Sequence, residues 1–173
     1  QSTPSFTQLE SFLGVELNVQ DEDLTDGGVS GEADLLLLLA PDKLDEKSLF
    51  AVDQFLMQGG TVVIASSPFM ANYTGSSLSV RPYDSGLGEW LAHNGLEIGE
   101  QLVMDPQNAA FPLPVTRTVG GFELQELRML DYPYFIDIRA DGMNGDNPIV
   151  ADLPQVSFAW SSPITVDGDK QGD

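Results

Sequence analysis

Serine and carboxylate side chains follow three apolar runs of this sequence, at positions where enzymes and receptors commonly hold reactive groups. Asp42 comes shortly after Leu35–Leu39, Ser67 comes after Thr61–Ala65, and Asp105 comes directly after Leu102–Met104. The carboxyl ends of parallel strands meet at one edge of a sheet, where open α/β sheets bind ligands. If the runs are parallel strands, these side chains share one crevice. Ser67 as a nucleophile, or Asp42 with Asp105 as an acid–base pair, would make the protein a hydrolase.

A serine nucleophile needs a base beside it, and the sequence offers little choice. The only histidine is His93, near the end of a helix predicted over Ser85–Asn94, where its charge complements the helix dipole. The sequence therefore predicts no catalytic residue. The hydrolase is kept as an alternative, which requires these side chains to converge beside a pocket.

Aromatic residues offer a second kind of site. Tyr132 and Tyr134 flank Pro133, and their rings could supply a stacking surface such as carbohydrate-binding grooves use. Core packing around Pro133 is the alternative for both rings. The residues predicted to bind a ligand are Asp42, Ser67, Phe69, Asp105, Tyr132 and Tyr134.

The charge excludes several classes of partner. The chain has 27 acidic residues against 7 lysines and arginines, a formal net charge of −20. A field of that sign repels phosphate backbones and anionic lipid headgroups, so nucleic acid is not a predicted partner. The absence of cysteine excludes thiol nucleophiles, disulfides and cysteine-based zinc sites. No phosphate loop, dinucleotide fingerprint or complete calcium loop is present, so the sequence predicts no cofactor and no metal.

The rest of the chain is arranged around one strand–helix–strand unit. Leu35–Leu39 is an apolar run that predicts a strand buried on both faces. Asp45 is placed to cap the helix that follows, and Gly59 with Gly60 ends it. Thr61–Ala65 predicts a second strand, parallel to the first through a right-handed crossover.

The pattern predicts an α/β fold of three layers around a mostly parallel sheet, with a C-terminal β embellishment. Residues 1–173 form a single domain in this interpretation, and 106–147 is an embellishing insertion. The other predicted strands are Val15–Val19, Leu96–Ile98, Leu102–Met104, Val156–Trp160 and Ile164–Val166. Phe122–Leu130 fits either a helix or an extended arm.

Four segments resemble the auxiliary proteins of uncharacterised ABC transport systems, which include the gliding-motility-associated ABC auxiliary proteins. They are ADLLLLLAPDKLDEKSLFAVDQFLMQGGTVVIASSPF, GLGEWLAHNGLEIGEQLVMD, YPYFIDI and NPIVADLPQVSFAWSSPI. No segment is a chemical signature alone. Their order and spacing carry the resemblance over most of Asp34 to Ile164.

The resemblance implies a non-enzymatic, extracytoplasmic (periplasmic) domain with a flavodoxin-like or glutamine-amidotransferase-like fold. It also implies an ABC permease and ATPase as partners, with anchors to the inner membrane outside this sequence. A homodimer is a further predicted partner state. Protein–protein interaction or solute binding is the function implied, and a soluble sugar- or peptide-binding receptor is the alternative. The amidotransferase-like fold uses a cysteine nucleophile, which this chain lacks.

Overall fold

In a computed structural model, residues 5–74 and 77–171 are described. Their contacts cluster into two compact units. Unit 1 comprises residues 1–70, 81–97 and 166–173, and unit 2 comprises 71–80 and 98–165. The single domain with an insertion over 106–147 stays a prediction.

Three helices and ten strands form in the described part of the chain. The helices are α1 (Thr7–Leu13), α2 (Glu46–Met57) and α3 (Gly88–His93). The strands are β1 (Leu35–Leu39), β2 (Thr61–Ala65), β3 (Phe69–Thr74), β4 (Ser77–Pro82), β5 (Leu96–Ile98), β6 (Phe111–Val119), β7 (Phe122–Leu130), β8 (Phe135–Arg139), β9 (Gln155–Ala159) and β10 (Ile164–Val166). None of these helices is long and apolar enough to cross a membrane.

The strand–helix–strand unit of the prediction is confirmed. β1 and β2 pair in parallel, with Leu35 opposite Thr61 and Leu39 opposite Ala65. The Asp45 carboxylate accepts a hydrogen bond from Ser48 N at 2.8 Å and caps α2, which joins the two strands. Gly59, at φ +94°, follows the helix as the sequence predicts.

The core of unit 1 lies between β1 and α2. Leu36 and Leu38 point from the strand toward Val52 and Phe55 of the helix, and all four are buried. The second face of the strands is much less covered, because Val63 of β2 is 44% exposed. Leu35 of β1, on that same face, is 52% exposed, so the prediction that Leu35–Leu39 is buried on both faces is wrong.

The predicted fold class is wrong. The described strands form five two-stranded sheets, ordered β1-β2, β3-β4, β5-β10, β6-β7 and β8-β9. Among the pairs whose register is described, β6–β7 and β8–β9 are antiparallel, and β1–β2 alone is parallel. A three-layer, flavodoxin-like or amidotransferase-like fold requires a long parallel central sheet, which these five two-stranded sheets do not make.

Two further strand predictions are wrong, because the segments have no neighbouring strand to pair with among the described residues. Val15–Val19 and Leu102–Met104 are not strands in the structure. An apolar or alternating run shows that a segment can be extended, but it does not provide the neighbouring strand that must hydrogen-bond to it. Phe122–Leu130, left open between helix and arm, is the extended strand β7.

Unit 2 contains the two strand pairs whose antiparallel register is described. β6 and β7 are nine residues each and are joined by Gly120 and Gly121, whose φ angles are +61° and +86°. Positive φ at both central residues makes the tight turn whose twist suits a hairpin. β8 and β9 pair from Phe135 opposite Ala159 to Arg139 opposite Gln155.

Candidate functional sites

Three loops meet at the carboxyl ends of β1 and β2, where the sequence predicts a crevice. They are residues 40–45, 66–68 and 83–87, here called the unit 1 rim. Backbone hydrogen bonds join them, from Lys43 N to Asp84 O at 3.1 Å, from Leu44 N to Ser85 O at 3.0 Å and from Tyr83 N to Pro68 O at 2.8 Å. The rim is thus one connected structure, and its loops cannot move independently without breaking these bonds.

Gly86 lets two of these loops approach closely. Its φ is +78°, and a Cβ at this position would lie 2.5 Å from the carbonyl oxygen of Leu44. That distance is far shorter than any ordinary contact between carbon and oxygen, so a side chain here forces the loops apart. Only glycine fits both the backbone angle and the space.

Tyr83 lies in the rim and was not among the predicted site residues. Its hydroxyl donates a hydrogen bond to the carbonyl oxygen of Ala40 at 3.0 Å. Burial raises the pKa of the Tyr83 phenol, the negative charge of Asp42 raises it further, and Arg81 opposes the shift. A tyrosine in a Ser-, Gly- and Pro-rich segment carries no periodic signal, so sequence reasoning had no means of placing it here.

The structure puts Asp42, Ser67 and Phe69 in or beside the unit 1 rim. Asp42 is exposed, whereas Ser67 and Phe69 are half-buried. Ser67 Oγ accepts a hydrogen bond from the backbone N–H of Phe69 at 3.2 Å. Within the described residues, no histidine or carboxylate hydrogen-bonds to Ser67 Oγ, and His93 lies exposed on α3. The rim thus holds polar groups but no activated nucleophile among those residues.

Asp105 belongs to unit 2, so it is not in the compact unit that holds Asp42. Its carboxylate accepts hydrogen bonds from Gln107 N at 2.8 Å and from Asp137 N at 2.9 Å. The bond from Asp137 and then the bond from Gln107 hold the pKa of Asp105 below its usual value. A carboxylate kept ionised in this way is suited to bracing two segments of backbone and poorly suited to donating a proton.

The two predicted stacking tyrosines lie in an aromatic cluster of unit 2. The ring of Tyr132 lies against four others, namely Phe111, Tyr134, Phe135 and Trp160, with centroids 5.0 to 6.4 Å apart. Its hydroxyl accepts a hydrogen bond from Trp160 Nε1 at 3.1 Å. These contacts match the alternative of core packing. Ligand binding by Tyr132 and Tyr134 stays a prediction.

The many acidic side chains do not gather into a metal site in the part of the chain that the structure describes. Among residues 5–74 and 77–171, no three histidine, cysteine, aspartate or glutamate side chains converge as such a site would require.

The β6–β7 hairpin, here called the arm, exposes apolar side chains that the sequence did not single out. Paired residues of an antiparallel hairpin share a face, so Val119 opposite Phe122 and Leu124 opposite Arg117 lie on one side of the tip. Phe122 is 75% exposed, and Val119 and Leu124 are about half exposed. We call Val119, Phe122 and Leu124 the tip patch. Exposed apolar groups clustered in this way mark interaction surfaces more often than isolated ones do.

A sequence model of the family described as ABC-type uncharacterized transport system matches residues 6–172. The match covers nearly the whole chain and confirms the resemblance to the auxiliary components of such systems. Comparisons with curated proteins and with solved structures give no match.

Proposed function

Because this chain belongs to the family of ABC-type transport system auxiliary components, we propose that it works without catalysis by binding other protein components of its transport system. The permease is the partner proposed for direct contact, and the ATPase is the third member of the assembly. We place the domain outside the cytoplasm, held at the inner membrane by segments beyond this sequence. The link to gliding motility stays a prediction.

The tip patch is the observation that carries this proposal. Phe122 is 75% exposed beside the turn of a hairpin whose two strands have nine residues each, so its ring contributes little apolar burial to folding. Burying an apolar side chain of that size is worth about 1.5–3 kcal/mol. Its position beside the turn of a mostly exposed strand pair suits insertion into a hydrophobic recess of a partner.

The charge distribution supports the same surface. Residues 111–130 carry Arg117 and Arg128 together with Glu123 and Glu126, so their charges sum to zero. The remainder of the chain therefore carries the whole formal charge of −20. A neutral, apolar tip can approach the lipid-facing or apolar parts of a membrane subunit that the acidic surface would avoid.

Site-specific photo-crosslinking in cells that carry the complete transport system tests this proposal. A photoreactive phenylalanine analogue replaces Phe122 in one variant and Phe12 in the control, whose exposed fraction of 76% matches. We expect an adduct with another transport subunit from position 122 and none from position 12. Absence of such an adduct at 122, or equal adducts at both positions, contradicts the proposal.

Solute binding at the unit 1 rim is the second candidate. The geometry of the rim supports it, because the exposed carboxylate of Asp42 and the hydroxyl of Tyr83 lie in loops joined by hydrogen bonds, and such groups together suit the hydroxyl groups of a sugar or the amides of a peptide. A thermal-shift screen with sugars and peptides tests it. The expected result is a rise of several degrees in the melting temperature with one class of ligand. Asp42→Ala should remove this rise, and Asp21→Ala, a control at an exposed carboxylate outside the rim, should retain it. A shift that survives Asp42→Ala contradicts this site.

A further inference from the structure

The two outer edges of the arm differ in their ability to accept another strand. Val119 and Phe122 flank the two-residue turn, so this pair exchanges both of its backbone hydrogen bonds within the hairpin. The pattern then alternates along both strands. Even-numbered residues of β6 and odd-numbered residues of β7 therefore direct their N–H and C=O groups outward.

Proline occupies the outward positions near the base of β6. Pro112 and Pro114 fall on even numbers, where the missing N–H removes no bond to β7. It does remove two of the donors that an added strand would need, which is how natural sheets protect an edge. β7 has no proline, and its outward positions are Glu123, Gln125, Leu127 and Met129.

The outer edge of β7 has no partner strand in the described part of the chain. The sheet order places β6 as its single neighbour. Leu127 is 69% exposed and Met129 is 60% exposed, so apolar side chains accompany the open backbone groups. A two-stranded hairpin is marginally stable in water, and a third strand would stabilise it.

We propose that the open edge of β7 pairs antiparallel with β7 of a second copy of this chain. The pairs that exchange backbone hydrogen bonds across the twofold axis must be formed by residues whose N–H and C=O groups point outward, and in β7 these are the odd-numbered residues. The even-numbered residues then face one another in the pairs without hydrogen bonds. With the axis at Leu127, Gln125 faces Met129 of the second copy. On the other face Leu124 faces Leu130, and Glu126 faces Arg128, each pair occurring twice.

The charges of Glu126 and Arg128 favour this register over the two registers in which the axis is moved by one residue. Moving the axis to position 126 places Glu126 opposite its own copy, and moving it to position 128 places Arg128 opposite its own copy. Like charges directly opposite destabilise a strand pair, whereas opposite charges favour it. Pairing ends at Leu124 and Leu130, since the next position would bring Glu123 against Asp131. The charges of the arm itself sum to zero, so its pairing brings no net charge of one arm against that of the other.

This pairing goes beyond the proposed function, because it uses the outer edge of β7. Of the tip patch it takes only Leu124, and it leaves Val119 and Phe122 free for another protein. Sedimentation velocity and light scattering of the purified chain test it with a charge exchange. We expect the wild type to dimerise. Glu126→Arg and Arg128→Glu should each raise the dissociation constant roughly tenfold or more, because each puts like charges opposite at two symmetric places.

The double variant E126R/R128E restores both opposite-charge pairs and should recover the wild-type dissociation constant. A wild type that stays monomeric over the accessible concentrations overturns the proposal. So does a dimer that neither single variant weakens, or a double variant that does not recover. A crosslink from position 122 to another transport subunit would be unaffected by any of these outcomes.

Proline substitution gives an independent test of the edge itself. Leu127→Pro removes an outward donor of β7, and the matched control Thr116→Pro removes an outward donor of β6, where Pro112 and Pro114 already stand. Neither removes a bond between β6 and β7. Leu127→Pro should abolish the dimer and Thr116→Pro should leave it intact, with circular dichroism checking that both fold. Equal effects of the two variants contradict the assignment of the open edge.

Discussion

Replacing Gly86 with alanine should open the unit 1 rim and destabilise the fold. An alanine at φ +78° costs about 1 kcal/mol in backbone conformation. Its Cβ would also lie 2.5 Å from Leu44 O and 2.6 Å from Leu44 N. Relieving an overlap with rigid backbone costs about 1–3 kcal/mol, because the loops must shift. We therefore expect a loss of about 2–4 kcal/mol in the free energy of unfolding.

Substitutions at two other glycines separate the cost of the backbone conformation from the cost of the steric overlap. Gly59 has φ +94° but open space where a Cβ would stand, so Gly59→Ala should show the backbone cost of about 1 kcal/mol alone. Gly88 has open space and lies in the first turn of α3, so Gly88→Ala should be neutral or stabilising by up to about 1 kcal/mol.

Urea unfolding followed by circular dichroism measures these differences. Amide hydrogen exchange locates them, since the N–H groups of Lys43 and Leu44 donate to Asp84 and Ser85 in the rim. In Gly86→Ala these two amides should exchange faster than in the wild type. If Gly86→Ala loses no more stability than Gly59→Ala, or if the two amides keep their protection, the close approach of the loops is not what requires glycine here.

Three further predictions concern unit 1. Asp45→Asn should make the stability of the fold less sensitive to acid. The hydrogen bond from Ser48 lowers the pKa of Asp45 below 3.8 in the folded protein. The ionised carboxylate therefore stabilises the folded state above that pH, and this stabilisation is lost as the pH falls below it. Urea midpoints from pH 7 to pH 2 check this, and parallel curves for both proteins would contradict it. Tyr83→Phe should cost about 0.5–1.5 kcal/mol at pH 7 through the lost bond to Ala40. Because the Tyr83 pKa is raised above 10.0, wild-type stability should also fall as the pH rises beyond that value, less so in the variant. Val52→Ala, at a fully buried position of α2, should cost about 2 kcal/mol, and a midpoint equal to the wild type would refute its place in the core.

Sequence reasoning succeeded where neighbouring residues carry the whole signal. Asp45 caps α2 through a bond to a residue three positions along the chain, and Gly59 ends it in a conformation that glycine favours. The parallel pairing of β1 with β2 follows from a short crossover helix between two apolar runs. The family resemblance, built on the order of four segments, was confirmed over residues 6–172.

The sequence did not predict how the strands assemble into sheets or which residues meet at the unit 1 rim. Whether β1 and β2 gain further neighbours depends on segments far away in the chain, and in the structure those segments pair with one another in separate two-stranded sheets instead. Tyr83 reaches Ala40 across 43 positions, a contact that no short pattern records. Caps and turns are settled by bonds between adjacent residues, and so they are legible in the order of amino acids. Strand partners are settled by competition among distant segments for the same backbone groups, and that competition is resolved only when the whole chain packs.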